Sequence, residues 1–248
     1  MALREDIQKQ GEFLFRWRSY LPLLALPIFL VALKNSGAVE RAYGTTAASI
    51  WQIYCIAISF CGLAIRCLVA GSVPRGTSGR NTMGQLADAL NTTGMYSLTR
   101  NPLYLGNFVI VLGLLLFIQV WWLLLVAVLG FLSYYALIIF AEEEFLREKF
   151  KQTFLDWAKK TPAFLPRFKN WKKPALPFSW KTMLRREHST LISTIAAFTF
   201  IHFLADLFTY GKIRLEAGWI IFFLAGLATY FSLLILKKKT KILDVAGR

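Results

Sequence analysis

Three consecutive glutamates, Glu142, Glu143 and Glu144, stand just after a stretch of 38 residues, Leu103–Phe140, that holds no Lys, Arg, Asp or Glu. A second polar run, from Asn91 to Asn107, leads into the same stretch and includes Tyr96, Arg100, Asn101, Tyr104 and Asn107. As one helix, the charge-free stretch would be ~57 Å long, about twice the hydrocarbon thickness of a bilayer. It is therefore expected to fold as two helices in a tight hairpin that turns near Gln119–Trp122. Such a hairpin returns both ends to one face and sets Arg100 and its neighbours against the carboxylates. A cation with amide and phenol groups, facing a carboxylate cluster, suits a zwitterionic ligand that carries both charges. A plainer reading makes these residues interfacial charges, with Pro102 starting a helix and Glu143–Arg147 an i,i+4 pair. Gly106 and Asn107, inside an apolar helix, point instead to close backbone approach or a polar partner.

The elements that must position these residues follow from composition. The 248 residues are 56% hydrophobic, 15% aromatic and 17% charged. Soluble domains run nearer ~45–50% apolar and ~25% charged, so an ordinary soluble globule is excluded. The net charge of +15 is spread between long apolar runs. That arrangement fits a protein held against anionic lipid better than a nucleic-acid binder with one basic soluble face. Cys55, Cys61 and Cys67 share one apolar segment without metal-like spacing, so no zinc site, disulfide framework or other metal site is expected.

Apolar runs over Phe13–Leu33, Ala47–Ala70, the two arms of the hairpin, Thr190–Tyr210 and Trp219–Leu236 predict an all-α polytopic bundle of about six transmembrane helices. No small-residue cleavage site follows the first run, which reads as an anchor. Twenty-five of the 29 lysines and arginines lie on one side of these spans; Lys34, Arg41, Lys212 and Arg214 lie on the other. The bias predicts that both termini and the Arg100–Glu142 face are cytosolic. Trp51, Trp121, Trp122 and Trp219 would then sit at the far interface as an aromatic belt. The non-enzymatic rival is a transporter or membrane scaffold, and the lack of an internal repeat and of a charged midplane site in the sequence argues against transport.

The run Leu90 to Tyr96, followed by Arg100-Asn101-Pro102-Leu103-Tyr104-Leu105-Gly106, resembles the signature of the isoprenylcysteine carboxyl methyltransferase and phospholipid methyltransferase superfamily. Glu142-Glu143 with Leu146, Phe150, Phe154, Trp157, Pro162 and Pro166 resembles its second motif. The resemblance covers roughly residues 90–168. It divides a single integral membrane domain into an anchor with two spans (1–89), a methyltransferase-like core (90–168), and a basic interfacial arm with two further spans (169–248).

The resemblance implies a cytosol-facing pocket for S-adenosylmethionine. Tyr96, Arg100, Asn101, Pro102, Tyr104 and Gly106 would hold the cofactor from one side, and Glu142 and Glu143 from the other. Arg100, Glu142 and Glu143 are the implied catalytic set. Arg100 can meet the methionine carboxylate in bidentate fashion, a glutamate the amino group, and an aromatic or carboxylate neighbourhood the sulfonium. The expected compartment is a bacterial inner membrane rather than the endoplasmic reticulum.

Two departures stand out. The family usually has His at the position of Asn101, and an amide cannot act as a general base. Relatives that methylate carboxyl groups have an arginine about one turn before the glutamate pair, where this chain reads Leu137-Ile138-Ile139-Phe140. An anionic oxygen of a lipid or isoprenoid head group needs no base, so an anionic lipid-borne acceptor is favoured over a phospholipid amine. Asn107, Arg66, Arg80 and Arg147 are the candidate substrate contacts. An NADPH-dependent sterol-type reductase is the enzymatic rival, but its motif is absent at Glu142-Glu143.

Outside the core, the basic and aromatic arm from Lys159 to Arg186 is expected to lie on anionic lipid. His202 and Asp206 share a helix face and are expected to form a structural hydrogen-bonded pair toward the far leaflet. Asp88 and the 76–81 loop are either a gate or plain loop.

Overall fold

A computed structural model describes residues 3–74, 76–77 and 87–247. Among the described residues the structure is all helical. Helix α1, Leu3–Trp17, meets a 3-10 turn, Leu21–Ala25, that runs into α2, Leu26–Leu33. The two parts are bent by 85°. Helix α3, Ala38–Ser72, is kinked at Gly44, where φ is 84°. A short helix α4, Met95–Leu98, precedes α5, Pro102–Ile118, and α6, Trp121–Ala158. Two more long helices follow, α7 (Trp180–Tyr210) and α8 (Ala217–Lys239).

The expected hairpin is present. Helices α5 and α6 are separated by Gln119 and Val120, within the turn read from length alone. Neither Gly nor Pro marks the turn because Gln119 itself takes the left-handed conformation, at φ 63°. That position is supported on both sides. The Gln119 backbone N–H donates to Leu116, and its side-chain oxygen accepts from the Val39 N–H at 2.8 Å. The tip of the hairpin is thereby tied to the start of α3.

All six apolar runs are helical, but their lengths divide them. Four helices (α3, α6, α7 and α8) are long and apolar enough to cross a membrane, and the bent α1–α2 pair makes up to five. Helix α5, at 17 residues, falls short of that length. It measures ~26 Å against a core of ~30 Å, so the count of six reduces to four or five by this criterion. Helix α6 overshoots instead, continuing past the glutamates to Ala158 with a break at Lys151, where φ is 46°. Helix α7 starts at Trp180, well before the Thr190 expected from hydropathy, because Ser179 caps it by accepting from the Thr182 N–H.

Helices α3 and α5 pack antiparallel along a seam of small residues. A β-carbon on Gly62 would lie 2.6 Å from the Gly106 carbonyl oxygen, and one on Gly113 would meet Ser59 and the Cys55 carbonyl. The Ser59 hydroxyl donates to the Ile110 carbonyl at 2.7 Å across the same seam. The close approach expected at Gly106 is thus with α3.

The apolar core gathers at the hairpin-tip end, around Leu33, Cys55, Phe117, Ile118, Phe198 and Trp219. Trp219 is therefore not a belt residue: it is buried, with its ring 5.6 Å from Phe117 and stacked on His202 at 4.5 Å. Trp51 also turns inward, donating to the Leu116 carbonyl at 3.0 Å. Trp121 does stay exposed. The polar residues collect at the other end, where the hairpin opens.

Candidate active site

Successive residues on a helix point ~100° apart, so three consecutive carboxylates cannot share one partner. Helix α6 sends each to a different element. Glu142 accepts from the Tyr104 hydroxyl of α5 at 2.8 Å. Glu143 receives the Arg100 Nε at 2.8 Å and Nη2 at 2.9 Å, a bidentate pair. Glu144, buried, pairs with Arg4 of α1 and with Arg147 at 3.5 Å. The i,i+4 pair expected between Glu143 and Arg147 does not form, because Arg100 takes Glu143 and the Arg147 side chain reaches Glu144 one turn back.

Arg100 is also tied to the chain beyond α6. Its Nη1 donates to the carbonyls of Ala158 and Thr161, both at 2.9 Å, and its backbone N–H donates to Pro162. Asn101 adds its side-chain amide on the Ala163 carbonyl at 3.0 Å, and Thr99 donates its hydroxyl to the same oxygen at 3.1 Å. The Trp157 indole donates to the Tyr96 carbonyl at 3.3 Å. These contacts explain why the two motifs belong together: residues 96–101 and 157–163 form one stitched unit around the Arg100–Glu143 pair. Pro102, fully buried, begins α5 directly behind it.

Aromatic rings continue this unit into the bundle. Tyr104 lies 4.7 Å from Tyr135, which stacks on Phe131 at 4.2 Å. A cleft of about 230 Å³ opens between α5, α6 and α7 beside them, lined by Asn107, Ile110, Phe131, Tyr135, Thr190 and Thr194, among others. A second cavity, of about 220 Å³, is bordered by Leu68, Ser72, Asn91, Thr93, Met95 and Tyr96. Arg100, Glu142 and Glu143 line neither cavity; Arg100 faces Glu143, and Glu142 faces Tyr104.

The candidate substrate contacts fall in different places. Arg66 and Asn107 belong to a buried network: Arg66 Nε and Nη2 grip Glu187 of α7 at 2.9 and 3.0 Å, and Nη1 donates to the Asn107 side-chain oxygen at 2.6 Å. Gly106 lies against the stem of Arg66. Arg147 stands at the outer side of Glu144, with nearly half of its side chain exposed. Arg80 lies outside the described residues, as does most of the 76–81 loop; within it, Gly76 accepts from the Asp88 N–H.

Two partners were missed by sequence reasoning. Glu187 carried a signal: it is the sole acidic residue between Asp156 and Asp206, entering a span, and Arg66 is the sole cation of Ala47–Ala70. Arg4 gave none, because nothing in its spacing says which helix α1 will cover.

At the opposite end, Asp206 lies within ion-pair reach of His202 but forms no hydrogen bond to it. The separation is 3.9 Å, and Asp206 instead receives Arg214 Nε at 3.1 Å, Nη2 at 2.9 Å and the Arg214 N–H. Arg214 outcompetes imidazole because its planar fork matches a carboxylate and its charge is permanent. Both partners lie far from the Arg100 unit, at the hairpin-tip end, as the topology required.

Residues 51–153 match the sequence model of the phospholipid methyltransferase family. The likeness to that family lies in this segment, which is less than half of the chain. It is 39% identical over 84 residues to the nickel-cobalt-cadmium resistance protein NccN of Alcaligenes xylosoxydans xylosoxydans. It is 38% identical over 84 residues to the cobalt-zinc-cadmium resistance protein CzcN of Cupriavidus metallidurans. Each match takes in 34% of this chain, and 39% and 38% of the two relatives, so the chain spans under half the length of either. No solved structure gives a significant match. The matched segment contains α5, α6 as far as residue 153, Arg100 and all three glutamates.

Proposed function

We propose that this protein transfers the methyl group of S-adenosylmethionine to a lipid-borne acceptor, an anionic carboxylate or phosphate oxygen of an isoprenoid or lipid head group. The observation that carries the reading is the bidentate Arg100–Glu143 pair beside Tyr104–Glu142, inside the segment that matches the family.

The residues fit the amino-acid end of that cofactor by charge. A zwitterion can enter an Arg–Glu pair without unbalancing it, its carboxylate taking the guanidinium and its ammonium the carboxylate. Arg100 would keep its two carbonyl contacts meanwhile, so it stays oriented. Glu142, held by the Tyr104 hydroxyl, and the ring of Tyr104 supply the negative and aromatic surroundings that favour a sulfonium. When bound, S-adenosylmethionine supplies an electrophilic methyl group. An acceptor oxygen then forms the new O–C bond as the C–S bond breaks, and the electron pair stays on sulfur. No proton has to move, which suits a site with Asn101 at its centre rather than a basic imidazole.

The cleft between α5, α6 and α7 gives a lipid a sideways approach, since its lower wall of Ile110, Val111, Leu114 and Phe131 is apolar while Asn107, Tyr135 and Thr190 edge it with polar groups. One observation favours a second acceptor, a phospholipid amine. Arg66 and Arg147 are already matched to Glu187 and Glu144, so they add little net positive charge for an anion. The resistance functions in the relatives' names are theirs, and this reading does not draw on them.

The test is incubation of the purified protein with labelled S-adenosylmethionine and whole lipid extract. Label should enter lipid, and S-adenosylmethionine but not NADPH should raise the thermal midpoint. Arg100→Ala should lower incorporation about a hundredfold or more, the cost of a mispositioned reacting group. Stabilisation by NADPH alone, or unchanged incorporation in the Arg100 variant, would overturn the assignment.

A further inference from the structure

Arg66 of α3 and Glu187 of α7 form a buried ion pair that the proposed transfer does not use. Glu187 takes Nε and Nη2 of the guanidinium at 2.9 and 3.0 Å, a fork that fixes its plane. The remaining nitrogen, Nη1, donates to the Asn107 side-chain oxygen of α5 at 2.6 Å. Gly106 makes room for this reach, since a β-carbon there would lie 2.6 Å from Arg66 Cγ.

The contact decides which way the Asn107 amide points. A carboxamide carries an accepting oxygen and a donating nitrogen, whereas a guanidinium only donates. Arg66 must therefore take the oxygen, and the N–H bonds of Nδ2 are turned away from it. A flipped amide would set N–H against N–H. Asn107 also borders the cleft between α5, α6 and α7, so its fixed amide offers that cleft a donor.

The cleft has a polar end and an apolar end. Along α5, Asn107 is followed three, four and seven residues later by Ile110, Val111 and Leu114, all lining the cleft toward the hairpin tip. On α6, Tyr135 lines the same end as Asn107, and Phe131 lies one turn nearer the tip. A ligand with a polar head and apolar chains fits that order, with its head at Asn107. Tyr104 stands one turn before Asn107 on α5, and its ring is 4.7 Å from Tyr135. The polar end therefore adjoins the Tyr104–Glu142 contact.

Hydrogen-bond direction, not net charge, sets what this end accepts, because Arg66 and Glu187 cancel. A carboxylate or phosphate oxygen accepts from the amide N–H. An ammonium has only N–H bonds of its own and meets a donor with a donor.

We propose that Asn107 is the specificity-determining residue for the lipid acceptor, donating its amide N–H to an anionic oxygen of the head group. Arg66 and Glu187 are positioning residues that hold the amide in this orientation. The assignment rests on the methyltransferase reading and names the contact that selects its substrate class. Glu187 lies outside the matched segment, 51–153, so α7 supplies part of the selection.

The experiment uses the full chain in detergent, labelled S-adenosylmethionine, and whole lipid extract separated by anion exchange into anionic and zwitterionic fractions. Label is expected in the anionic fraction. Asn107→Asp keeps an oxygen for Arg66 and replaces the donor with a second oxygen. It should raise the half-saturating concentration of the anionic fraction about tenfold or more, and by more than it lowers the maximal rate. Arg66→Met combined with Glu187→Leu tests the positioning, and carries the test by itself where Asn107→Asp does not fold. Its stability should recover relative to Arg66→Met alone, yet its half-saturating concentration should stay about threefold above wild type. An amide free to flip offers its nitrogen only part of the time. A merely structural pair would regain both together. Label confined to the zwitterionic fraction, or a wild-type half-saturating concentration in either variant, overturns the proposal and leaves the methyltransferase reading standing. Wild-type protein that labels no lipid overturns both.

Discussion

Arg66 and Arg100 are chemically the same side chain, and their surroundings give them different work. Arg100 holds Glu143 and two carbonyls at the mouth of the hairpin, partly open to solvent. Arg66 is buried between α3, α5 and α7, where its worth depends entirely on Glu187 and Asn107. Two charges taken out of water cost several kcal/mol each, and their attraction only offsets this when the geometry is good. Removing one partner is therefore worse than removing both. Arg66→Met should destabilise the protein by about 3–5 kcal/mol, while Arg66→Met combined with Glu187→Leu should regain most of that loss. Denaturant unfolding in detergent measures both, and a double variant as weak as the single one would show that the pair is more than a mutual neutralisation.

The same scale shows why the sequence could nominate charged residues without matching them. Near a protein surface two unit charges 4 Å apart interact by about 4 kcal/mol, so every carboxylate near the site attracts any cation that can reach it. Reach is set by rotation around the helix axis, which spacing along one chain segment does not specify for another. Glu143 and Arg147 were correctly spaced for each other and still took other partners. Asp206 and His202 repeat the lesson, with Arg214 arriving from the following loop. The guanidinium of Arg214 is held further in its charged form by hydrogen bonds to Asp206 and Glu40.

Among the elements, the α3–α5 seam carries the site's position. Cys55, Ser59, Gly62 and Arg66 recur on one face of α3, and Gly106, Ile110 and Gly113 on the facing side of α5. Small residues let the backbones approach and set α5 at a fixed height, from which Tyr104 and Asn107 reach their partners. A Gly113→Ala methyl would meet Ser59 and the Cys55 carbonyl, so it should cost about 1–3 kcal/mol through overpacking. Gly130 on α6 has nothing within 4 Å, and Gly130→Ala should be neutral or slightly stabilising through helix propensity. Thermal midpoints of the two variants compare them directly. The hairpin itself was legible because 38 charge-free residues exceed one crossing. Its turn was not, since Gln119 adopts a glycine-like φ only with support from Leu116 and Val39.

For the whole molecule, the apolar core and the polar site occupy opposite ends of the bundle. The core lies around Phe117, Phe198 and Trp219, and the stitched motifs lie where the hairpin opens. The basic excess falls at the site end, and the charge bias predicts that this end faces the cytosol. In sealed membranes the tail around Lys237–Lys241 should be cut by protease only from the cytosolic side, and the 211–216 loop only from the other. The reverse pattern would invert the orientation and move the site to the opposite face. Helix α1, which neither the family match nor the resemblance covers, changes the account of the molecule most, because it packs along α6 and brings Arg4 to Glu144.

The sequence alone determined which segments are helical, where the basic excess lies, and that the runs around Arg100 and Glu142 must meet. Those properties follow from hydropathy, length and charge summed along the chain, and no partner is needed to read them. Tertiary structure alone decided the pairings: Arg100 with Glu143, Tyr104 with Glu142, Arg4 with Glu144, and Arg66 with Glu187. Each depends on helix rotation and on which element packs alongside, and both are settled by close packing of glycines and rings rather than by the charges themselves.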